Sequence, residues 1–294
     1  MTKLYIGTAG WSYKDWVPSF YPKTQTGKFN WLQFYAAYFN LVEVNASYYT
    51  YLNPSIVSSW LYKVSDNSDF NFTIKLHQDF THKMNYSQQN IKDTITNLGI
   101  LHKEGRLGGL LLQFPYSFAF SDANLDYIRT LINIFNSFEC FVEVRHKSWN
   151  NEKVMDYFRS EQIVFCTIDQ PQIGRSISFN PVVTGTSAYI RFHGRNYGSW
   201  FKSLNVNSTV KQTYAEQSAR YDYLYSPGEL IEISRRIKEI YDKVNNIYII
   251  MNNHPFGNAP ANAFELLSML AGNKKVSIPQ NCLEAFPRLK EIAA

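Results

Sequence analysis

A chain of 294 residues with 45% apolar and 18% charged residues is too hydrophobic for disorder and long enough to bury a sizeable core. Its formal charge of +5 permits an anionic partner without demanding one, and it does not favour an extended duplex-binding face. No apolar run approaches a membrane span, and Met1-Thr2-Lys3-Leu4 leads directly into a strand-like run, so a soluble cytoplasmic chain without a secretory leader or membrane partner is expected. The three cysteines, Cys140, Cys166 and Cys282, are scattered, which argues against a disulfide framework or a zinc ribbon. Cys140 and Cys166 lie in apolar strand-like runs and are expected as packing residues.

In chain order, a strand is predicted at 4–8, a helix at 30–39, a strand at 41–45 and a helix at 54–64. The alternation continues with a strand at 70–76, a helix at 87–101, a strand at 109–114 and a helix at 122–135. Then come a strand at 141–145, a helix at 152–159, strands at 163–169 and 188–193, a helix at 227–244, a strand at 247–252 and a helix at 260–270. Strands alternating with helices imply a parallel sheet, and about eight repeats imply closure: a (β/α)8 barrel of TIM type, filling 1–294 as a single domain. The connection 170–187 lacks a helix pattern. The connection 194–246 is long, and its polar stretch 203–220 reads as an excursion or lid. An open doubly wound sheet is the competing fold, weakened by the lack of a Gly-x-Gly-x-x-Gly turn or a Walker-type loop.

Strand side chains alternate faces, so Glu43 and Asn45 share one face of their strand, Glu143 and Arg145 another, and Arg191 and His193 a third, with Arg195 positioned to follow. Other strand ends deliver Lys75, Gln113, Asp169, and the run Asn252-Asn253-His254. Polar residues at the C-terminal ends of barrel strands read as ligand contacts. The plainer reading is internal pairing of Glu43 or Glu143 with Arg145 or Arg191, because charges inside a barrel are costly unless paired. The two readings of Arg191 separate experimentally: truncation removes ligand binding in one and stability in the other. Aromatic residues, 16% of the chain, include Trp11, Tyr48 and Trp149 in predicted loops, where they suit stacking on a ligand ring or packing of long loops.

Several motifs resemble those of the YecE-like family, catalogued as domain of unknown function 72. They are Gly7-Thr8-Ala9-Gly10-Trp11-Ser12-Tyr13-Lys14-Asp15-Trp16, then Phe20-Tyr21-Pro22, and Val42-Glu43-Val44-Asn45-Ala46-Ser47-Tyr48-Tyr49. Lys75 with Thr81-His82, Leu112-Gln113-Phe114-Pro115, and Glu143-Val144-Arg145-His146-Lys147-Ser148-Trp149 follow. Arg191-Phe192-His193-Gly194-Arg195 and Asn252-Asn253-His254, with Gly257 and Ala259, complete a match over nearly the whole chain. Ala9, where serine is commoner, and Tyr49, where phenylalanine is, are small departures outside the polar set. The resemblance implies a TIM-type barrel distantly similar to xylose-isomerase-like and endonuclease IV barrels. It implies no settled activity; by analogy of fold it leans toward nucleic acid.

The leading functional expectation is a binder or enzyme, a hydrolase or isomerase, for a small anionic ligand: a phosphate ester or nucleic acid. Lys75, Arg145, Arg191, Arg195, His82 and His254 supply the positive field, with Asn45, Gln113, Asn252 and Asn253 as polar contacts. Trp11, Tyr48 and Trp149 are the stacking candidates, and Glu43, Glu143, Asp169 and His193 the acid–base candidates. Pro260 is expected near the start of the last helix, whose amides would add to anion binding. A second expectation is metal-assisted hydrolysis or isomerisation through Glu43, Glu143, Asp169, His82, His193 and His254, which the neighbouring arginines make awkward. A non-catalytic ligand or nucleic-acid binder is a third, and glycoside hydrolysis by Glu43 and Glu143 a fourth. No cofactor or protein partner is inferred.

Overall fold

The computed structural model describes residues 2–25, 27, 29–205 and 213–294. Its first half runs β1 (Lys3–Ala9), α1 (Trp31–Ala36), β2 (Leu41–Val44), α2 (Pro54–Lys63), β3 (Asn71–Lys75), α3 (Gln78–Thr81), α4 (Gln88–Lys103), β4 (Leu107–Gln113), α5 (Asp122–Ile134) and β5 (Cys140–Glu143). The second half runs α6 (Glu152–Ser160), β6 (Val164–Asp169), β7 (Ser187–Phe192), α7 (Tyr197–Asn205), α8 (Tyr214–Ala219), α9 (Pro227–Lys238), β8 (Asn246–Met251), α10 (Asn258–Leu270) and α11 (Gln280–Ala285). The eight strands pair in sequence order, all parallel, and β8 closes on β1. The barrel is of the TIM type. No helix is present in the β6–β7 connection, as its sequence suggests. Part of the predicted excursion, 206–212, lies outside the described residues; α7 and α8 flank it. Among the described residues no helix is long and apolar enough to cross a membrane.

Local signals fix the helix starts. Asn30 accepts from the amides of Leu32 and Gln33 at the head of α1, and Asn53 precedes a proline at the first position of α2. Ser226 and Glu229 form a reciprocal capping box on α9. The outward strand residues Val42, Val44, Leu112, Val142, Val144, Ile190 and Ile249 are buried against the helical layer. All three cysteines are free and buried.

Residues paired in parallel register share a face. Ala9, Glu43, Thr73 and Gly109 line up across β1–β4, and Gln113 pairs with Glu143. Cys166 pairs with Tyr189 and Ile168 with Arg191. These face the barrel interior. The middle of the interior is an aromatic plug: Phe141 stacks on Tyr189 at 4.2 Å between centroids, and Tyr248 lies 5.4 Å from Phe141 and 5.0 Å from Tyr5. The plug fits because β4 carries Gly108-Gly109. A Cβ on Gly109 would sit 2.5 Å from the Phe141 ring, and one on Gly108 2.9 Å from Tyr248. The β3–β4 register slips at this point, with Phe72 opposite Leu107 and Thr73 opposite Gly109, a bulge that Gly109 accommodates at φ +148°. The plug closes the barrel below and leaves a polar layer above it, at the C-terminal ends of the strands.

Candidate functional site

An ionic layer rests on the aromatic plug. Arg191, from β7, is 2% exposed; its Nε donates to Glu43 Oε2 at 2.8 Å and its Nη2 to Glu43 Oε1 at 2.7 Å. Its Nη1 donates to Glu143 Oε2. Arg145 approaches Glu143 Oε1 from the other side, through Nε and Nη2 at 2.8 Å each. Tyr189 ties the layer to the plug, donating to Glu43 Oε2 at 2.8 Å and sharing a 2.8 Å hydrogen bond with Thr73. Burial pushes the Glu143 carboxyl up, but Arg191 and Arg145 outweigh it and hold the group well below the usual carboxylate range. The layer is therefore a fixed array of charges, with Glu143 ionised at neutral pH.

Above this layer opens a cavity of about 680 Å³. Lys75, Arg145, Arg191 and Arg220 line it, with no aspartate or glutamate among its described lining residues. Polar contacts come from Asn45, Gln113, Gln170, Ser176, Ser218 and Asn252, and aromatic walls from Tyr13, Tyr48, Tyr49, Tyr116, Trp200 and Tyr221. His82 and His254 also face it. Three of these residues carry buried polar atoms with no hydrogen-bond partner among the described residues: Asn45 Oδ1, Gln170 Nε2 and His254 Nδ1. Polar groups so placed cost stability unless a ligand or solvent satisfies them.

The model of the family described as "Protein of unknown function DUF72" matches residues 5–285. The chain belongs to the DUF72 family. Among relatives, the UPF0759 protein YunF of Bacillus subtilis (strain 168) is 27% identical over 281 residues, covering 91% of this chain and 94% of its own. A crystal structure of a DUF72 family protein from Thermotoga maritima MSB8 superposes with a TM-score of 0.79 at 31% identity, over 92% of this chain and 99% of that one. A DUF72 family protein from Enterococcus faecalis V583, at 22% identity, shares the fold with a TM-score of 0.78 over 91% and 95% of the two chains.

In this DUF72 chain, Asn45, Tyr48, Lys75, His82, Gln113, Arg145, Arg191, Asn252 and His254 converge on the one cavity. Glu43 and Glu143 lie just beneath, fully buried, behind the arginines. His193 is also fully buried: its Nδ1 meets Asn252 Nδ2 at 2.9 Å, and its Nε2 lies 3.6 Å from Glu143 Oε1, too far for a good hydrogen bond. With Asn252 donating to Nδ1, the ring proton falls on Nε2.

Asp169, Arg195, Asn253, Trp149 and Trp11, all expected at the site, lie elsewhere. Asp169 faces outward from β6, because the inward positions are Cys166 and Ile168. There it accepts a two-pronged grip from Arg195, with Nε to Oδ2 at 2.9 Å and Nη2 to Oδ1 at 2.7 Å, and a hydrogen bond from the Tyr225 hydroxyl. Arg195 leaves the strand face because Gly194 turns the chain at φ +82°; its Nη1 also binds Glu229, 2.9 Å away, the same residue that caps α9. Asn253 points into the helical layer, donating to Tyr223 O at 2.8 Å and Asn262 Oδ1 at 2.9 Å. Trp149 is core: fully buried, stacked 5.5 Å from Phe118, its indole donating to Phe118 O at 2.7 Å. Trp11 packs edge-on against Trp60 at 5.7 Å and lines a separate shallow cleft. The residues that open α10, including Pro260, are buried and outside the cavity lining, so the expected helix-end contribution does not arise there.

Titration further defines the site. Burial, with Lys75 and Arg145 adding, pulls His82 down to about 4, and burial pulls His254 down to about 4. Both are neutral at pH 7. Burial and the neighbouring Arg191 bring Lys75 down to about 7. Lys75 is partly reached by solvent within the cavity, and its Nζ sits 4.1 Å from the Tyr48 ring centroid. Among the described residues, no three His, Cys, Asp or Glu side chains group as a metal site, so the metal-assisted reading gains no support from them. The Glu43–Glu143 pair shares Arg191 and is covered by it, an arrangement unsuited to protonating a glycosidic oxygen.

Proposed function

We propose that this DUF72 barrel binds a small anionic ligand, foremost a phosphate ester, in the cavity at the C-terminal ends of its strands. The observation that carries this reading is a cavity wall with three arginines, one lysine and no described carboxylate. The carboxylates that balance Arg191 and Arg145 lie below the wall, outside the described cavity lining. Guanidinium groups held rigid by carboxylates suit phosphate oxygens, because their geometry is set before the ligand arrives. Gln170 Nε2 adds an unsatisfied donor, and the aromatic walls suit the ligand's carbon skeleton or ring. A nucleic-acid end with a terminal phosphate uses the same chemistry. Trp200, Ser218, Arg220 and Tyr221, from the connection after β7, reach the cavity.

Calorimetric titration tests the reading. Glycerol 3-phosphate or a short 5′-phosphorylated oligonucleotide should bind at low salt and weaken as salt rises, whereas glycerol should not bind. Arg145→Ala should weaken binding by about 10- to 100-fold, the effect of one charge-assisted hydrogen bond. Absence of binding by both phosphorylated probes at low salt overturns the proposal.

A further inference from the structure

We propose that Lys75 forms an imine with the carbonyl carbon of a small anionic aldehyde or ketone held in this cavity. The inference rests on the anion-binding reading and deepens it by naming a substrate class. Lys75 ends β3 with its side chain on the inner face, and it is the one lysine among the described residues lining the cavity. No described carboxylate lies within ion-pair distance of its Nζ, in contrast to Arg145 and Arg191, each anchored on glutamate. The arginines are thus fixed as permanent charges, while the amine is left to the face of Tyr48.

The division of labour follows from the two side chains. A guanidinium keeps its charge in any protein setting; an ammonium gives up its proton when desolvated among other cations. The charged groups acting on Lys75 are Arg191 and Arg145, which favour the free amine, and Glu143 and Glu43, which oppose it. Burial and the arginines prevail, so a substantial fraction of Lys75 is uncharged at pH 7. His82 and Tyr48 complete its neighbourhood, with ring centroids 5.0 Å apart, and both stay uncharged at that pH. A lysine needed only to hold phosphate works best fully protonated, whereas one that attacks a carbonyl must be free.

The step balances without any oxidant or reductant. The ammonium first loses a proton to solvent. The Nζ lone pair then forms a bond to the carbonyl carbon as the C=O π pair moves to oxygen; the nitrogen gives up one proton and the oxygen takes one, giving a neutral carbinolamine. The hydroxyl leaves as water with the nitrogen's remaining proton as the C=N bond forms, and hydrolysis reverses the sequence. Arg145 would hold the anionic end of the ligand meanwhile.

The test is reductive trapping. Intact protein is incubated with glyceraldehyde 3-phosphate and sodium cyanoborohydride at pH 7, and adducts are mapped by peptide mass spectrometry. Lys75 should be labelled on the order of 100-fold faster than an ordinary surface lysine, allowing for the lower nucleophilicity of a weaker base. Excess glycerol 3-phosphate should suppress the label. Lys75→Arg, verified as folded by circular dichroism, should lose it. Binding of glycerol 3-phosphate without label at Lys75, or equal labelling of many lysines, overturns the imine and leaves the anion-binding reading standing. If glycerol 3-phosphate and glyceraldehyde 3-phosphate both fail to bind, both proposals fall.

Discussion

Arg191→Ala should destabilise the protein by about 3–5 kcal/mol, the cost of breaking a buried ion pair from one side. Glu43 is the reason. It is fully buried, and among the described residues Arg191 is its cationic partner, through two hydrogen bonds. Glu143 would keep Arg145. The variant thus leaves one carboxylate desolvated and unbalanced beside the Tyr189 hydroxyl. Arg191→Lys should recover part of the loss, since a point charge replaces the charge but not the planar grip on two carboxylates. Adding Glu43→Gln to Arg191→Ala should recover more, because the stranded charge is gone. Chemical denaturation of the four proteins gives the comparison. A loss below about 1 kcal/mol for Arg191→Ala would assign Arg191 to a ligand rather than to the fold.

Acidification from pH 7 to pH 5 should cost roughly 4 kcal/mol of stability through two buried histidines. Burial, with Arg191 and Arg145 adding and Glu143 opposing, takes His193 from 6.5 down to about 3. Burial takes His254 from 6.5 down to about 4, with Asp15 opposing. Both remain neutral in the folded protein at pH 5, while in the unfolded chain both take up a proton as pH falls through 6.5. The unfolded state then binds more protons, so stability declines with falling pH, and the decline ends as each folded pKa is passed. Glu143 adds a loss at lower pH: its folded pKa lies below the ordinary 4.5, so its contribution is present above that value and disappears beneath it. Denaturation midpoints at pH 7 and pH 5 measure the effect. His193→Asn and His254→Asn should each remove a comparable share of the slope, with His82 supplying the remainder. Equal stability at the two pH values would show that these histidines are already charged or solvated in the fold.

Which parts of this site the sequence reveals depends on the alternation of each strand. In β2 and β5, Glu43 and Glu143 sit between valines or follow one, so the polar face is unambiguous and the structure places it inside. In β6, Val164-Phe165-Cys166-Thr167-Ile168 is nearly apolar on both faces, as is common for a strand buried on both sides, and the period does not say which face is which. Polarity alone predicts Asp169 inside; the residue that reaches the cavity is Gln170, one position later. The apolar run of β8 hides the distinction between Asn252, which lines the cavity, and Asn253, which does not. Arg195 shows a different limit: the turn at Gly194 ends the strand period before reaching it. Tyr116, Arg220 and Tyr221 come from connections, where no period exists to place them. Tyr189 is the residue whose signal is present in the sequence, since it shares the Arg191 face two residues earlier, yet it is absent from the predicted site.

The central claim is that the cationic wall above the Glu43–Arg191–Glu143–Arg145 layer receives an anionic group. A crystal structure of the protein grown with saturating glycerol 3-phosphate addresses it most directly. The phosphate is predicted within hydrogen-bond distance of Arg145, on the open side of the ionic layer. A phosphate found only on the outer surface, with the cavity holding solvent alone, would contradict the account.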